Sequence, residues 1–207
     1  MRPLNYNTIL ISIGVWVFLA SSPLCAQEEK VEVEKGIEFH EMPDRAQSLL
    51  NEHKSAFSKE KYYRETGGED VHFEAKIDWN GYRYSIEFDE EGIPIDIEQL
   101  IEFNEIPRKA RKKIKRWMDK QFKKTRITRV QRQYSPEEED RDEIDERLEL
   151  LEDFFEEQEM DDFTIRYELE IEGESKKRLG FFELLFDDEG ELIQQRTIQR
   201  RSLDNIW

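Results

Sequence analysis

A near-repeat of nine residues constrains the fold of this chain more than any other feature of its sequence. The stretch Glu38–Ala46 matches the stretch Glu102–Ala110 at an offset of 64 residues. In both stretches a Glu-Phe pair precedes a proline, and apolar residues then recur at helical spacing. Proline suits the first position of a helix, where its missing N–H group leaves no bond unmade. We therefore predict two equivalent helices that begin at Pro43 and Pro107, each with one apolar face to bury.

Alternating apolar and polar residues follow each helix and predict antiparallel strands. Residues 71–79 and 82–88 alternate on either side of Asn80-Gly81, a dipeptide typical of hairpin turns. Residues 163–171 alternate in the same way, and a Phe-Asp-x-x-Gly turn follows a strand in each half, at 88–92 and at 186–190. Period-two alternation places apolar side chains toward the helix and polar side chains on the opposite face.

These patterns predict an α+β fold made of two helix-plus-antiparallel-sheet repeats. The first repeat covers residues 37–101 and the second covers residues 102–207, with a linker at 27–36. Whether the two sheets lie side by side or fuse into one stays open, because the geometry between sheets leaves no periodic trace in a sequence.

The first 26 residues have the order of a cleavable secretion signal. Arg2 precedes an apolar stretch of 12 residues at 9–20, and Leu24-Cys25-Ala26 ends in a small residue typical of a cleavage site. Roughly 20 apolar residues are needed to span a bilayer, so we do not expect a membrane anchor. We favour cleavage after Ala26 over lipid attachment at Cys25, because Leu24 stands where a small residue is usual. The expected location is the periplasm or the extracellular space.

Acidic charge is concentrated in one segment of the chain. After residue 26 the sequence has 31 basic and 49 acidic residues, and Ser135–Asp162 alone has a net charge of -14. Ser135 suits a helix N-cap and Pro136 the first helical position, while apolar residues recur at helical spacing from Ile144 to Phe155. We therefore predict an acidic amphipathic helix at 135–162, inserted in the second repeat.

A basic stretch of the same chain could pair with this acidic helix. From Arg108 to Arg132 there are 13 basic residues and one acidic residue, and we predict a basic helix at 108–126. Pairing within the chain is favoured because tethering raises the effective concentration of the partner. Nucleic acid is not an expected partner, since the chain is exported and the neighbouring segment is acidic. Membrane contact is not expected either, because Ile114, Trp117 and Phe122 suit a core position.

The Met-Pro and Ile-Pro helix starts, the alternating strands and the two Phe-Asp-x-x-Gly turns resemble the PepSY-like family of exported bacterial proteins. That family is related in fold to β-lactamase inhibitor proteins, here called BLIP-like. The resemblance covers residues 38–198 and implies a tandem helix-and-sheet fold, export, and binding or inhibition of proteins. It implies no catalytic residues, and the acidic insertion departs from the family pattern.

No residue pattern in the sequence predicts an enzyme, a cofactor or a metal site. The three histidines, His40, His53 and His72, are scattered, and we expect His53 to pack on the apolar face of the first helix. The turns Asp89–Gly92 and Asp187–Gly190 are four-residue hairpin turns, whereas a calcium-binding loop needs about twelve residues.

We therefore expect a non-catalytic protein-binding module that uses the polar sheet face. Whether this binding inhibits an envelope or secreted protein stays open. The alternative is a structural or sensory envelope component whose acidic helix 135–162 binds the basic helix 108–126 or an external cationic ligand. The predicted contact residues are Glu74, Lys76, Arg83, Glu87, Arg166 and Glu168.

Overall fold

The computed structural model describes residues 29–30, 33–66, 71–136, 144–157, 163–174 and 179–198. The predicted secretion signal lies outside these residues, as do residues 137–143 and 158–162 of the predicted acidic helix. Among the described helices, none is both long enough and apolar enough to cross a membrane.

Three α-helices and ten strands make up the described part of the chain. The helices are α1 (Asp44–His53), α2 (Arg108–Gln121) and α3 (Ile144–Glu152), and a π-helical turn at Asp153–Glu157 continues α3. The strands are β1 (Glu29–Lys30), β2 (Val33–Ile37), β3 (Ser58–Thr66), β4 (His72–Trp79), β5 (Tyr82–Phe88), β6 (Pro94–Leu100), β7 (Lys124–Pro136), β8 (Phe163–Glu174), β9 (Leu179–Asp187) and β10 (Leu192–Ile198).

The near-repeat in the sequence forms the same N-terminal structure before α1 and before α2. In each copy a short 3-10 turn begins with a glutamate whose backbone N–H donates to the glutamate three residues later. The bond from Glu38 to Glu41 is 2.8 Å long, and the bond from Glu102 to Glu105 is 2.6 Å long. The proline then caps the helix, which begins one residue later than predicted, at Asp44 and at Arg108.

All ten strands belong to one sheet, so the two predicted sheets are fused. The strand order is β1-β10-β9-β8-β7-β6-β5-β4-β3-β2, and every neighbouring pair is antiparallel except β1 with β10. The two halves join where β6 pairs with β7, from Ile97 opposite Tyr134 to Leu100 opposite Gln131. The predicted α+β class is confirmed.

Chain connectivity requires this sheet to curve strongly. Strands β1 and β2 lie at opposite ends of the strand order, yet only two residues separate Lys30 from Val33. Their Cα atoms are therefore at most about 11 Å apart. In a flat sheet, β1 and β2 would be about 43 Å apart. The two ends of the sheet must approach each other, and the predicted linker at 27–36 contributes strands at both ends.

The helices lie on one face of the sheet, over two hydrophobic clusters. The first cluster contains α1 and α3 with β4 and β5, and the second contains α2 with β8 and β9. Tyr134 lies under α3 and Val130 lies under α2, and the two are four residues apart on β7. All three helices therefore share the same side of the sheet.

The described part of the acidic segment, α3 with its π-helical turn, packs on the first cluster, and none of its described residues forms an ion pair with α2. The predicted contact between the acidic and basic helices is therefore not formed by α3, and residues 137–143 and 158–162 lie outside the described residues. The Phe154 ring is 5.0 Å from the Tyr134 ring, and the Phe155 ring is 5.2 Å from the His53 ring. Burying apolar surface stabilises by about 25 cal/mol per Å². An exposed ion pair contributes only about 0 to 1 kcal/mol, so apolar contact decides where α3 lies.

The length of α1 explains why the first cluster has room for α3. Helix α1 has 10 residues and α2 has 14. The second helix buries Met118 and is followed by the buried Phe122, whereas Lys54 and Ser58 occupy the positions 64 residues earlier. The aromatic residues of α3 and its π-helical turn supply the apolar surface that α1 lacks.

Two predicted helix boundaries are wrong at the ends of β7. The basic helix ends at Gln121 instead of residue 126, because Phe122 has an extended backbone. Ser135 and Pro136 are the last residues of β7, where they pair with Thr164 and Phe163, and they do not cap a helix. Strand pairing with β8 takes precedence over the local capping signal.

Candidate functional site

The sheet face that points away from the helices, hereafter the polar face, holds all six predicted contact residues. The strand register pairs Glu74 with Glu87 and Asp78 with Arg83 across β4 and β5. It also pairs Gln133 with Arg166 across β7 and β8. Directly opposed residues share a face, and residues two apart on a strand do so as well. Whether these six residues bind a partner stays a prediction.

Much of the polar face is buried, although no described helix covers it. Glu74 is 5% exposed and Arg166 is 6% exposed, while Arg83 keeps 38% of its side chain exposed. The side chains of this face cover one another, since they contact across neighbouring strands, as Arg166 of β8 does with Ser135 of β7. The buried polar residues on this face are Glu74, Ser85, Asp96, Glu98, Gln131, Ser135, Arg166 and Glu183.

Lys76 links two glutamates near the β2 end of the polar face. Its Nζ atom lies 2.8 Å from Oε2 of Glu74, on the same strand. It also lies 2.9 Å from Oε1 of Glu34, which is on β2, beyond β3. Ser85 donates its hydroxyl proton to the other oxygen of Glu74. Burial alone would lower the pKa of Lys76, but Glu74 and Glu34 more than offset this and hold the pKa above its usual value. Lys76 therefore stays charged inside the face.

Carboxylates outnumber cations at the centre of the face. Oxygen atoms of Glu87, Asp96 and Glu98 all lie within 4.8 Å of one another. Gln131 donates an amide proton to Glu98, and Gln133 donates one to Asp96 over 2.8 Å. Burial, followed by the negative charge of Glu168 and then that of Glu87, raises the pKa of Glu98 well above its usual value.

Arginines from β7, β8 and β10 offset part of this negative charge. Arg129 lies 3.6 Å from Glu170, and Arg196 lies 3.3 Å from Glu183. Arg166 donates to the Ser135 hydroxyl over 3.0 Å. Burial alone would lower the pKa of Arg129. The negative charges of nearby carboxylates, of which Glu98 has the largest effect, outweigh burial and hold the pKa above its usual value. The polar face is thus a network of internal ion pairs and hydrogen bonds, and not a flat solvated surface.

Two groups of three carboxylates offer oxygen atoms of the kind that bind hard cations. One group is Glu87, Asp96 and Glu98, and the other is Glu34, Glu65 and Glu74. Lys76 already occupies the second group as a cation. Acidic side chains within reach of one another are by themselves insufficient to assign a metal, and the expectation of no cofactor stays a prediction.

The sequence predictions missed the central residues of this network, although a signal for them exists. In β6, Asp96 and Glu98 alternate with isoleucines, as the polar residues of β4 alternate with apolar ones. In β7, Arg129 and Gln131 flank Val130 in the same way. Extending the period-two search across both strands would have placed these four residues on the polar face.

A shallow hollow lies at one end of the polar face, where β4 and β5 meet the segment that joins the two halves. Its volume is about 430 Å³, and Tyr82 and Leu100 are 41% and 38% exposed beside it. Asp78 binds Lys59 over 2.6 Å and Arg83 over 3.3 Å. The bond from Lys59 lowers the pKa of Asp78 and keeps it charged. The lining residues are Lys59, Asp78, Gly81, Tyr82, Arg83, Leu100, Ile101, Glu102 and Glu105.

Several solved structures are similar to this fold at low sequence identity. A DUF2874 family protein from Bacteroides ovatus aligns with a TM-score of 0.50 and 9% identity, over 75% of this chain and 87% of that one. A candidate periplasmic protein from Bacteroides eggerthii has a TM-score of 0.50 and 13% identity, over 75% and 88%. A BLIP-like protein from Bacteroides fragilis has a TM-score of 0.48 and 13% identity, over 80% and 92%.

These similarities concern the fold alone, because the sequence identities are low. No protein-family model matches the chain, and no curated protein matches it. The resemblance to the PepSY-like family therefore stays a prediction.

Proposed function

We propose that this chain is an exported, non-catalytic protein-binding module of the bacterial envelope, and that it binds its partner at the hollow beside Tyr82 and Arg83. The secretion-signal pattern supports export, and one structure of similar fold is a candidate periplasmic protein. The observation that carries the proposal is that two exposed apolar side chains, Tyr82 and Leu100, line one hollow with the ion-paired Arg83.

The composition of the hollow resembles the centre of a protein interface. Tyrosine and arginine are enriched among the residues that dominate binding energy, and they act best in a pocket that excludes water. Tyr82 offers an exposed ring, while Asp78 holds the Arg83 guanidinium in a fixed position at 3.3 Å. A partner side chain can enter the hollow without breaking the internal network of the polar face.

The centre of the polar face is a poorer contact surface than its end. Glu74 and Arg166 are almost fully buried and have partners inside the chain. Separating a buried, hydrogen-bonded charge from its partner costs several kcal/mol, so a partner protein would gain little there. Of the six predicted contact residues, Arg83 lies in the hollow.

The test is affinity capture from an envelope extract of the encoding organism, with the double variant Tyr82→Ala/Leu100→Ala beside the unmodified protein. The matched control is Leu179→Ala/Ile193→Ala, which removes two other exposed apolar side chains, 62% and 49% exposed. Specific capture by the unmodified protein and the control, with loss in the hollow variant at an unchanged melting temperature, supports the proposal. Equal capture by all three proteins excludes the hollow.

Inhibition of the captured partner is a separate part of the proposal. If the partner is an enzyme, its activity should fall on titration with the unmodified protein and stay constant with the hollow variant. Activity that is unchanged at saturation would leave a binding module without inhibitory action.

A further inference from the structure

Four basic residues form a row along α2 that points away from the sheet. Arg108, Lys112, Arg116 and Lys120 recur every four residues, and all four are exposed. The buried residues of the same helix, Ala110, Ile114 and Met118, each lie two positions further along. Two positions correspond to about 200° around a helix, so this basic row lies opposite the buried face.

The basic row has no ionic partner within the described part of the chain, although its neighbours do. Lys109 lies 2.6 Å from Glu189, and Lys113 lies 2.7 Å from Glu191. Lys115 lies 3.2 Å from Asp119. The carboxylates near α2 thus pair with the flanks of the helix and leave its outermost row unmatched.

This arrangement is unfavourable for the isolated helix. Like charges four residues apart destabilise a helix by about 0.2 to 0.5 kcal/mol per pair, and the row contains three such pairs. The first turn of α2 contains Arg108 and no acidic residue, which is also unfavourable with the helix dipole. A row that lowers stability in a chain of net charge -17 indicates an anionic binding partner.

We infer that this partner is the acidic helix α3 of a second copy of the chain, in a two-fold dimer. Residues 144–157, which form α3 and its π-helical turn, have a net charge of -6, and Glu149 and Glu152 of α3 are exposed. In its own copy α3 packs on the first hydrophobic cluster, and no ion pair joins its described residues to the basic row. Pairing between the acidic and basic helices is therefore made between molecules.

The position of the helices fits two-fold symmetry. Helices α2 and α3 lie on the same side of the sheet, over Val130 and Tyr134 respectively. When two copies face each other about a two-fold axis, each basic row meets the α3 of the other copy, and both contacts form together. The dimer is closed, and its stability is the sum of several charge pairs at each of its two contacts, each pair contributing up to about 1 kcal/mol.

A charge-based dimer should dissociate as salt is added. The screening length falls from about 10 Å at 0.1 M salt to about 3 Å at 1 M. We therefore expect the dissociation constant of the dimer to rise by about tenfold or more over this range. Sedimentation velocity on the exported protein, expressed from the full-length sequence, measures this change.

Charge exchange between two variants tests the pairing directly. The row variant is Lys112→Glu/Arg116→Glu, and the helix variant is Glu149→Lys/Glu152→Lys. Each alone should be monomeric, because both contacts of its dimer join like charges. An equimolar mixture should form a heterodimer in which both contacts join opposite charges again. The matched control, Lys35→Glu/Lys61→Glu, changes two exposed cations in β2 and β3 and should dimerise normally.

Three results would overturn the inference. The first is an unmodified protein that stays monomeric at low salt, and the second is a dimer that survives the row substitutions. The third is a monomer that binds vesicles containing phosphatidylglycerol and loses this binding in the row variant, which would assign the row to an anionic lipid surface.

Discussion

Gly190 lies so close to Ala110 that a Cβ atom on the glycine would stand 2.5 Å from the Ala110 carbonyl oxygen. The turn between β9 and β10 thus contacts the backbone of α2 directly. Gly92, in the turn between β5 and β6, has the same relation to α1, where a Cβ atom would stand 2.7 Å from the Ala46 nitrogen. Both glycines also have a positive φ.

The first prediction concerns this contact between turn and helix. Gly190→Ala should lower the free energy of unfolding by about 2 to 4 kcal/mol, because it adds backbone strain and a clash with α2. Gly81 is the control, since it has φ of 84° with no neighbour within 4 Å of an added Cβ. Gly81→Ala should cost only the strain, about 1 to 2 kcal/mol. Equal losses in urea denaturation would contradict the close packing.

A second prediction tests the position of α3 on the first cluster. Phe154 is 1% exposed and contacts the rings of Trp79, Tyr84 and Tyr134. Phe154→Ala should therefore lower the free energy of unfolding by about 3 to 5 kcal/mol, as a large cavity in a core does. Ile144→Ala, at a position 51% exposed, should change it by less than about 0.5 kcal/mol. Similar small effects for both would mean that α3 is not packed there.

A third prediction follows from Arg147, one of two basic residues in the acidic segment. Its guanidinium donates to Asp89 over 2.8 Å and to the Pro94 carbonyl oxygen over 2.8 Å. Arg147→Ala should cost about 1 to 3 kcal/mol, since it leaves these partly buried acceptors unpaired. The control is Arg126→Ala at an exposed ion pair with Glu172, which should cost about 1 kcal/mol or less. A larger loss at Arg126 in thermal denaturation would refute this ranking.

The fourth prediction concerns pH and Glu98. Its pKa is higher in the folded chain than in the unfolded chain, so the folded chain binds more protons between the two pKa values. Stability should therefore fall as pH rises from the unfolded pKa of about 4.3 to the folded pKa, and then stay level.

Replacing Glu98 with glutamine separates its contribution from that of other groups. Glu98→Gln should be more stable than the unmodified protein at neutral pH, and the gain should disappear below about pH 4. Glu52→Gln, at an exposed glutamate of α1, serves as the control. A Glu98→Gln variant that is less stable at every pH would indicate that the carboxylate is charged and favourable in the fold.

The sequence predicts local structure in this chain better than it predicts how elements meet. The period-two pattern places Glu74, Arg83 and Arg166 on one face, as the structure has them, because alternation is a property of the strand itself. The burial of Glu74 and Arg166 depends on side chains of other strands, such as Ser85 on β5 and Ser135 on β7. The pattern of a single strand does not predict these contacts.

The acidic helix shows the same limit. Its apolar spacing correctly predicts a face to bury. The prediction of the surface on which it packs used charge alone and left out the apolar residues that α1 lacks, since Lys54 and Ser58 stand 64 residues before Met118 and Phe122. The predicted start of the acidic helix at Ser135-Pro136 is wrong, because the pairing of β7 with β8 extends to Pro136. In both cases a tertiary contact outweighs a local preference.

The placement of β1 and β2 has a consequence for the state of the protein in solution. The end strand of a sheet presents unpaired N–H and C=O groups, and these can recruit strands from other molecules into aggregates. In this chain the stretch from Glu29 to Ile37 covers part of β10 with its first residues and the outer side of β3 with its last. The end strands of the sheet are thus β1 and β2, with 2 and 5 residues, in place of β10 and β3, with 7 and 9. Short end strands present fewer unpaired groups, so we expect removal of residues 29–37 to increase aggregation through the newly exposed edges of β10 and β3.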